Sequence, residues 1–380
     1  MSVSEVILTN APAVRPPQET FVLNVGPQHP ATHGVLRVRM TMDGEYVVRA
    51  EPVCGYIHRM HEKMGENRTY AQFLPNTSRI DYLAALHYSH AFVGAVERAA
   101  KIVVPPRAEY IRVITSELNR ISSHLVWWGA FLLDLGGFTP LLYAFDDREK
   151  ILDLLEGVTG ARLTYAYFRI GGLYNDVDED FLQGTRAFIS HMRPRLKMYR
   201  DLVTDNIIFR KRLEGIGPLS AELCRKYGAT GPVIRGSDVA YDVRRLEPYS
   251  AYPEFDFDVP HFAAGDSMAR YLVRMEEMAQ SLRIIEQALD RLPNGPVRND
   301  KVPRVLKLPA GDYCYAVEAA RGRFMVRLVS DNKEMPYRVK LRTPCLSNLS
   351  LYEEASAGML LPDALALMGS LDLVIPDIDR

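Results

Sequence analysis

Apolar and polar positions alternate in some stretches of this chain and recur every three or four residues in others, which divides it into three parts. Phe21-Val22-Leu23-Asn24-Val25 and Val35-Leu36-Arg37-Val38-Arg39-Met40 read as strands, and Asp43-Gly44 predicts a hairpin turn between Val35–Met42 and Glu45–Ala50. From about Tyr56 to Arg212 the period becomes helical. The clearest helix follows Pro105-Pro106 and is predicted over about Ala108–Leu133, with Ile111, Ile114, Leu118, Ile121, Leu125, Trp128 and Leu132 on one face and Gly136-Gly137 and Pro140 as its stop. Further helices are predicted over about Asp147–Glu156 and Asp178–Phe209. Leu213–Phe262 breaks into Gly- and Pro-rich pieces and reads as packed loops with short strands. A strong helix is predicted from Asp266, as N-cap, to Leu292. Residues 313–342 alternate like strands, and a short helix near Pro362–Met368 precedes the terminal tail.

The order predicts an α+β protein: an extended arm over residues 1–20, then one domain over 21–380. Within it, a β-hairpin region (21–55) is followed by a helical bundle (56–212) and a mixed α/β part (213–380). The formal net charge of -1 gives no electrostatic case for nucleic-acid binding. No run approaches the roughly 18 apolar residues of a membrane span, and the start lacks the basic-then-apolar order of a secretion signal. The expectation is a soluble protein, or one held at a membrane by other chains. Four dispersed cysteines, Cys54, Cys224, Cys314 and Cys345, form no C-x-x-C pair, so the chain is expected to hold no zinc or iron–sulfur cluster and to live in a reducing compartment.

Three features carry chemistry. Gly26-Pro27-Gln28-His29-Pro30-Ala31-Thr32-His33-Gly34 predicts a stiff loop holding two imidazoles, the side chains most easily protonated near neutrality. An ordinary hairpin loop with incidental histidines fits the same segment. Asp134 ends an apolar helix, where the helix dipole disfavours a carboxylate; it either escapes to solvent or pairs with a cation such as a histidine. Arg79-Ile80-Asp81-Tyr82 offers a permanent cation and a phenol, or merely caps and packs. His58-Arg59-Met60-His61-Glu62 has the wrong register for a zinc protease, and His87 and His90, one turn apart, are as suited to a core as to a metal. The glycines of 228–236 lack the Lys-Ser/Thr of a P-loop, which argues against nucleotide binding.

Together with Tyr56–Arg59, Ser116–His124, Asp134–Pro140, Arg169–Gly172 and the terminal Asp379-Arg380, these segments resemble the 49-kDa (D) subunit of respiratory complex I, colinearly from about residue 21 to the end. The resemblance implies the fold of the nickel–iron hydrogenase large subunit. Its metal-binding R-x-C-G-x-C motif aligns with Arg79–Ala84, where Asp81 and Ala84 stand at the cysteine positions, and the other cysteine pair would fall near Asp377-Ile378-Asp379-Arg380. Without thiolates a nickel–iron centre cannot be assembled. The family uses the emptied pocket for a quinone headgroup. The resemblance further implies that His33 and Tyr82 hydrogen-bond the quinone oxygens, that Asp134 pairs with His33, and that Arg59 and Arg79 flank a 4Fe–4S cluster held by a neighbouring small subunit, with His29 and Thr164 also beside the cofactors. Thr164 stands where many relatives have a histidine whose protonation follows cluster reduction, which predicts a lower, less pH-dependent potential suited to menaquinone. Implied partners are the small iron–sulfur (B-type) subunit, the 30-kDa (C-type) subunit and a membrane (H-type) subunit forming the quinone channel. The expected place is peripheral, on the cytoplasmic side of a bacterial plasma membrane. A homologous complex fed by ferredoxin or a deazaflavin, and a non-catalytic scaffold, fit the same sequence.

Overall fold

The computed structural model describes residues 20–27 and 34–380. Strands β1 (Phe21–Val25), β2 (Arg37–Asp43) and β3 (Tyr46–Val53) form an antiparallel meander in chain order, with the Asp43-Gly44 turn where the sequence predicts it. On β2, Val38, Met40 and Met42 point inward and the residues between them do not, which is the period of a sheet with one covered face. Residues 1–19 of the predicted arm, and the histidines of the first loop, lie outside the described residues.

Short helices α1 (His61–Glu66) and α2 (Tyr70–Thr77) lead into α3 (Ala85–Ala100), α4 (Pro106–Asp134) and α5 (Thr139–Thr159). The α4 helix has 29 residues, roughly 44 Å, and all seven apolar positions named for its face are buried. It is the spine: α5 and α11 pack along it. The α5 helix is longer than predicted because Pro140 sits in its first turn, where a missing N–H costs nothing, instead of ending the preceding element. A two-residue hairpin, β4 (Phe168–Arg169) with β5 (Gly172–Leu173), interrupts the helical part. The single helix expected over 178–209 is divided into α6 (Glu179–Tyr199), a π-turn at Arg200–Thr204, and α7 (Ile207–Leu213), which Asn206 caps.

The Gly- and Pro-rich section contains short helices instead of the expected strands: α8 (Ala221–Tyr227), α9 (Pro232–Arg235) and α10 (Val243–Leu246). Helix α11 (Ser267–Asp290) is capped by Asp266, whose carboxylate accepts from the Ala269 N–H at 2.8 Å, as the sequence predicts. Strands β6 (Gly311–Ala319), β7 (Gly322–Ser330) and β8 (Arg338–Arg342) form a second antiparallel meander. Helix α3 lies on it so closely that a Cβ at Gly94 would fall 2.5 Å from the Tyr315 ring. Helices α12 (Pro344–Leu349), α13 (Tyr352–Ala355), α14 (Leu361–Leu371) and α15 (Ile375–Asp379) complete the α+β fold. The tail predicted after α14 is a buried helical turn, clustered with Leu36, Val38 and Met40 of the first sheet.

Candidate functional site

A narrow cleft opens where three distant segments meet: Tyr82-Leu83, the Val126, Trp127, Ala130 and Phe131 face of α4, and Asp372-Leu373-Val374 before α15, with Arg321 at its floor. As it stands it holds about 20 Å³, the room of one water, so a ring must displace side chains to enter. Larger hollows, of about 320 and 880 Å³, lie around residues 296–309 and include none of these residues.

Tyr82 reaches the cleft because Asp81 is fixed behind it. Asp81 Oδ1 accepts from the Leu83 and Ala84 N–H groups at 3.1 and 3.2 Å, an Asx-type turn leading into α3. Its Oδ2 takes Arg321 Nη1 at 3.0 Å. Burial, then the Asp81 charge, pushes the Tyr82 phenol up, so its hydroxyl keeps its proton; among the described residues nothing accepts it. Arg321, fully buried in the β6–β7 turn, clasps all three walls. It donates to Asp81, to Ser123 of α4 at 2.8 Å and to Asp372 at 3.0 Å. Arg274 stands 3.7 Å from the other Asp372 oxygen and 4.3 Å over the Trp127 ring. Four buried charges, two of each sign, therefore underlie the cleft.

Asp134 is exposed at the last position of α4, on the face that Val126 and Ala130 present at intervals of four, one turn (about 5.4 Å) beyond the cleft wall. His33 and His29 lie outside the described residues. Gly34, bonded to His33, packs on the helix beside the cleft: a Cβ there would sit 3.4 Å from Ile375, the residue after Val374.

Arg59 and Arg79 come together on the surface. Arg59 Nη2 donates to the Arg79 carbonyl at 2.5 Å, and Arg79 donates to the Pro75 carbonyl. Burial and then Arg79 push the Arg59 guanidinium down, and among the described residues neither arginine has a carboxylate partner. The loop carrying Arg59 is fixed by the last helix. Asp379 accepts the Gly55 and Ile57 N–H groups at 2.8 and 2.9 Å, and its carbonyl meets His58 Nδ1 at 2.6 Å. Buried His61 behind them is pushed to about 4 by burial and then by Arg59, so it is neutral. The structure thus brings Arg59 and Arg79 together as an unmatched cationic pair. Thr164 follows α5 with a φ of 52°, a left-handed conformation unfavourable for a β-branched residue.

Sequence reasoning passed over Arg321, Asp372, Tyr88 and Arg274. A signal existed for Asp372, a charge set between Leu371 and Leu373 in an apolar run, and for Asp377, set between Pro376 and Ile378. His87 and His90 are core residues; His90 stands edge-on to Phe168 and Tyr249. Among the described residues no group of three His, Cys, Asp or Glu side chains could hold a metal ion. Nor is any described helix long and apolar enough to cross a membrane.

Residues 134–380 match the family model for the 49-kDa subunit of respiratory-chain NADH dehydrogenase. The chain is 76% identical over 364 residues to a D-type NADH-quinone oxidoreductase subunit of Opitutus terrae, covering 96% of this chain and 91% of that one. It is 68% identical to the D-type subunit of Desulfotalea psychrophila, covering 96% and 98% of the two chains, and 55% identical to that of Syntrophobacter fumaroxidans, covering 96% and 97%. The cleft walled by Tyr82, α4 and the C-terminal segment is therefore a feature of a chain that belongs to the 49-kDa (D) subunit family of the respiratory NADH-quinone oxidoreductase.

Proposed function

We propose that this chain forms the quinone-reduction site of a proton-translocating NADH:quinone oxidoreductase. The observation that carries the reading is the Tyr82 hydroxyl, protonated and unclaimed among the described residues at the mouth of a cleft floored by matched buried charges. Reducing a quinone takes two electrons and two protons. A phenol can donate a hydrogen bond to one quinone oxygen, and His33 is assigned the other. Gly34 beside Ile375 is consistent with that assignment, since Gly34 and His33 share a peptide bond. Asp134, one turn from the cleft wall, is assigned to hold the charge of the His33 imidazolium.

Arg59 and Arg79, cations without carboxylate partners among the described residues, suit the electron-rich face of a 4Fe–4S cluster in a small B-type subunit; their fixed positive charge would raise its potential. The names of the relatives support NADH as the electron source for the complex. The C-type and H-type subunits are assigned as further partners, and the chain as peripheral on the cytoplasmic side of the plasma membrane.

Two tests bear on this. Tyr82→Phe in the assembled, membrane-bound complex should lower quinone reductase turnover by up to a few kcal/mol of transition-state stabilisation, with NADH oxidation by an artificial acceptor retained. Unchanged quinone turnover would sink the reading in favour of a scaffold. Thr164, which cannot gain a proton, predicts a cluster potential nearly independent of pH, with menaquinone as the fitting acceptor. A slope near 60 mV per pH unit, roughly one proton per electron, would contradict this, and Thr164→His should introduce such a slope.

A further inference from the structure

Asp377, on α15, is completely buried three residues beyond Val374 of the cleft wall. Among the described residues its two oxygens have two hydrogen-bond partners, neither a cation: the Tyr88 hydroxyl donates to Oδ1 at 2.5 Å, and the Cys345 N–H donates to Oδ2 at 3.0 Å. The charged and titratable groups around it come from every neighbouring element. Helix α3 supplies Tyr88, α12 the Cys345 thiol, the loop before α3 Asp81, the β6–β7 turn Arg321, the end of β8 Arg342, and the segment before α15 Asp372.

Neither cation pairs with Asp377 directly. Arg321 is divided between Asp81 and Asp372, and Arg342 donates to the carbonyls of Arg323 and Gly228 at 2.8 and 2.6 Å. Tyr88 and Cys345 are held in their neutral forms, chiefly by burial. Asp81 and Asp372 pair with Arg321 and Arg274, which leaves Asp377 as the carboxyl of the cluster without a direct cationic partner. An ionised carboxylate buried without a cation is costly enough to take up a proton instead.

We propose that Asp377 is a proton-exchanging positioning residue of the cleft. As the neutral acid it leaves Arg321 free to clasp the three walls, and as the carboxylate it sets a negative charge without a direct cationic partner next to the cleft wall, which opposes reduction there. For its effect on turnover this rests on the quinone reading; the proton itself does not. Burial and the Asp81 charge favour the acid, while the hydrogen bonds from Tyr88 and Cys345 favour the carboxylate; the balance pushes the group up to about 7. A quinone gaining electrons builds negative charge on its oxygens, and a like charge in a low-dielectric surround raises the barrier to that step.

The test uses the whole membrane-bound complex. Infrared difference spectra taken across neutral pH should show a carboxylic-acid C=O band that bleaches as pH rises. That band should be missing in Asp377→Asn and shifted in frequency in Tyr88→Phe, which keeps the ring stacked on Phe324 but removes the hydroxyl. The same band in all three complexes overturns the proposal. Wild-type quinone turnover should fall on the alkaline side of neutrality. Asp377→Asn should lose that fall, and Tyr88→Phe should move it up by about one pH unit, a tenfold change in proton affinity, because the lost hydrogen bond favoured the carboxylate. A wild-type alkaline profile in both variants overturns the proposal. So does an assembled Asp377→Asn complex inactive at every pH, because a neutral side chain should serve. The infrared arm reads the proton without quinone, so its failure is distinguishable from failure of the Tyr82→Phe test.

Discussion

Two clusters of buried charge lie in this molecule, and they differ in how their carboxyl groups are partnered. Along the α4–α11 seam every carboxylate faces a guanidinium. Glu117 meets Arg120 and Arg244 at 3.1 and 3.2 Å, Asp242 meets Arg244 at 2.7 Å, and Arg235 joins Glu277 and Glu318, the latter at 2.8 Å. His124 Nε2 meets Glu277 at 2.9 Å, and Tyr252 and Ser281 each donate to Glu117 at 2.6 Å. Burial works against ionisation of Glu117 and Glu277, yet the guanidiniums hold both well below the usual carboxylate range. Beneath the cleft one carboxyl lacks a direct cationic partner among the described residues: Asp81 and Asp372 have Arg321 and Arg274, and Asp377 has a phenol and an amide. Three guanidiniums serve four carboxyls along the seam, and burial pushes Glu318 up, yet each carboxyl keeps a direct cationic partner that ties one element to another. A buried carboxyl without a direct cation favours its neutral acid, and a group that exchanges a proton near neutrality can take part in chemistry.

The contrast is broken most directly in the ion-paired cluster of the seam. Arg235→Ala would leave Glu277 and Glu318 buried without their shared cation, a loss of about 3–5 kcal/mol. We expect a marked drop in the yield and melting temperature of the assembled complex, and a variant that melts like wild type would show that the network is not a clamp.

Next in size is the pH dependence of stability set by Asp377. Its carboxyl rises from 3.8 to about 7 on folding, so the folded chain binds the extra proton between those values. Stability from this group is therefore present below about pH 4 and is lost as pH rises toward 7. The full difference is about 4 kcal/mol, at roughly 1.4 kcal/mol for each tenfold change in proton affinity. Asp377→Asn removes it: relative to wild type, the variant complex should gain in thermal stability between pH 4 and 7 and stay level above. A difference that does not change with pH would place the Asp377 proton in doubt.

The smallest effect is the control. Arg39 pairs with Glu51 on the first sheet with the arginine side chain 54% exposed. Arg39→Ala should cost less than about 1 kcal/mol, because water and salt screen what the buried clusters cannot share with solvent. A larger loss would mean that pairing, rather than burial, sets the scale of the first prediction.

Much of the frame was legible in residue order. Helices α4 and α11 and the two meanders are read from a periodic apolar face with a cap or turn at each end, information that lies within a few residues. The reading fails where proline has two meanings. Pro140 was expected to stop a helix and instead sits in the first turn of one. It also fails over Leu213–Phe262, where Gly and Pro suggested loops and strands but buried Arg235, Asp242 and Arg244 hold short helices against α11 and β6. Of the site, Tyr82, Arg59, Arg79 and Asp134 could be picked out as reactive or misplaced side chains within local motifs.

The sequence by itself determined the long helices, the two meanders and which residue types could carry proton chemistry, since propensity and period act over neighbouring residues. It could not determine that Arg321 binds Asp81, 240 positions earlier, and Asp372, 51 positions later, or that Asp377 in an unremarkable tail is sealed behind both. Those facts were decided by the tertiary structure, because the state of a buried carboxyl depends on which charges surround it in space, and folding alone sets that.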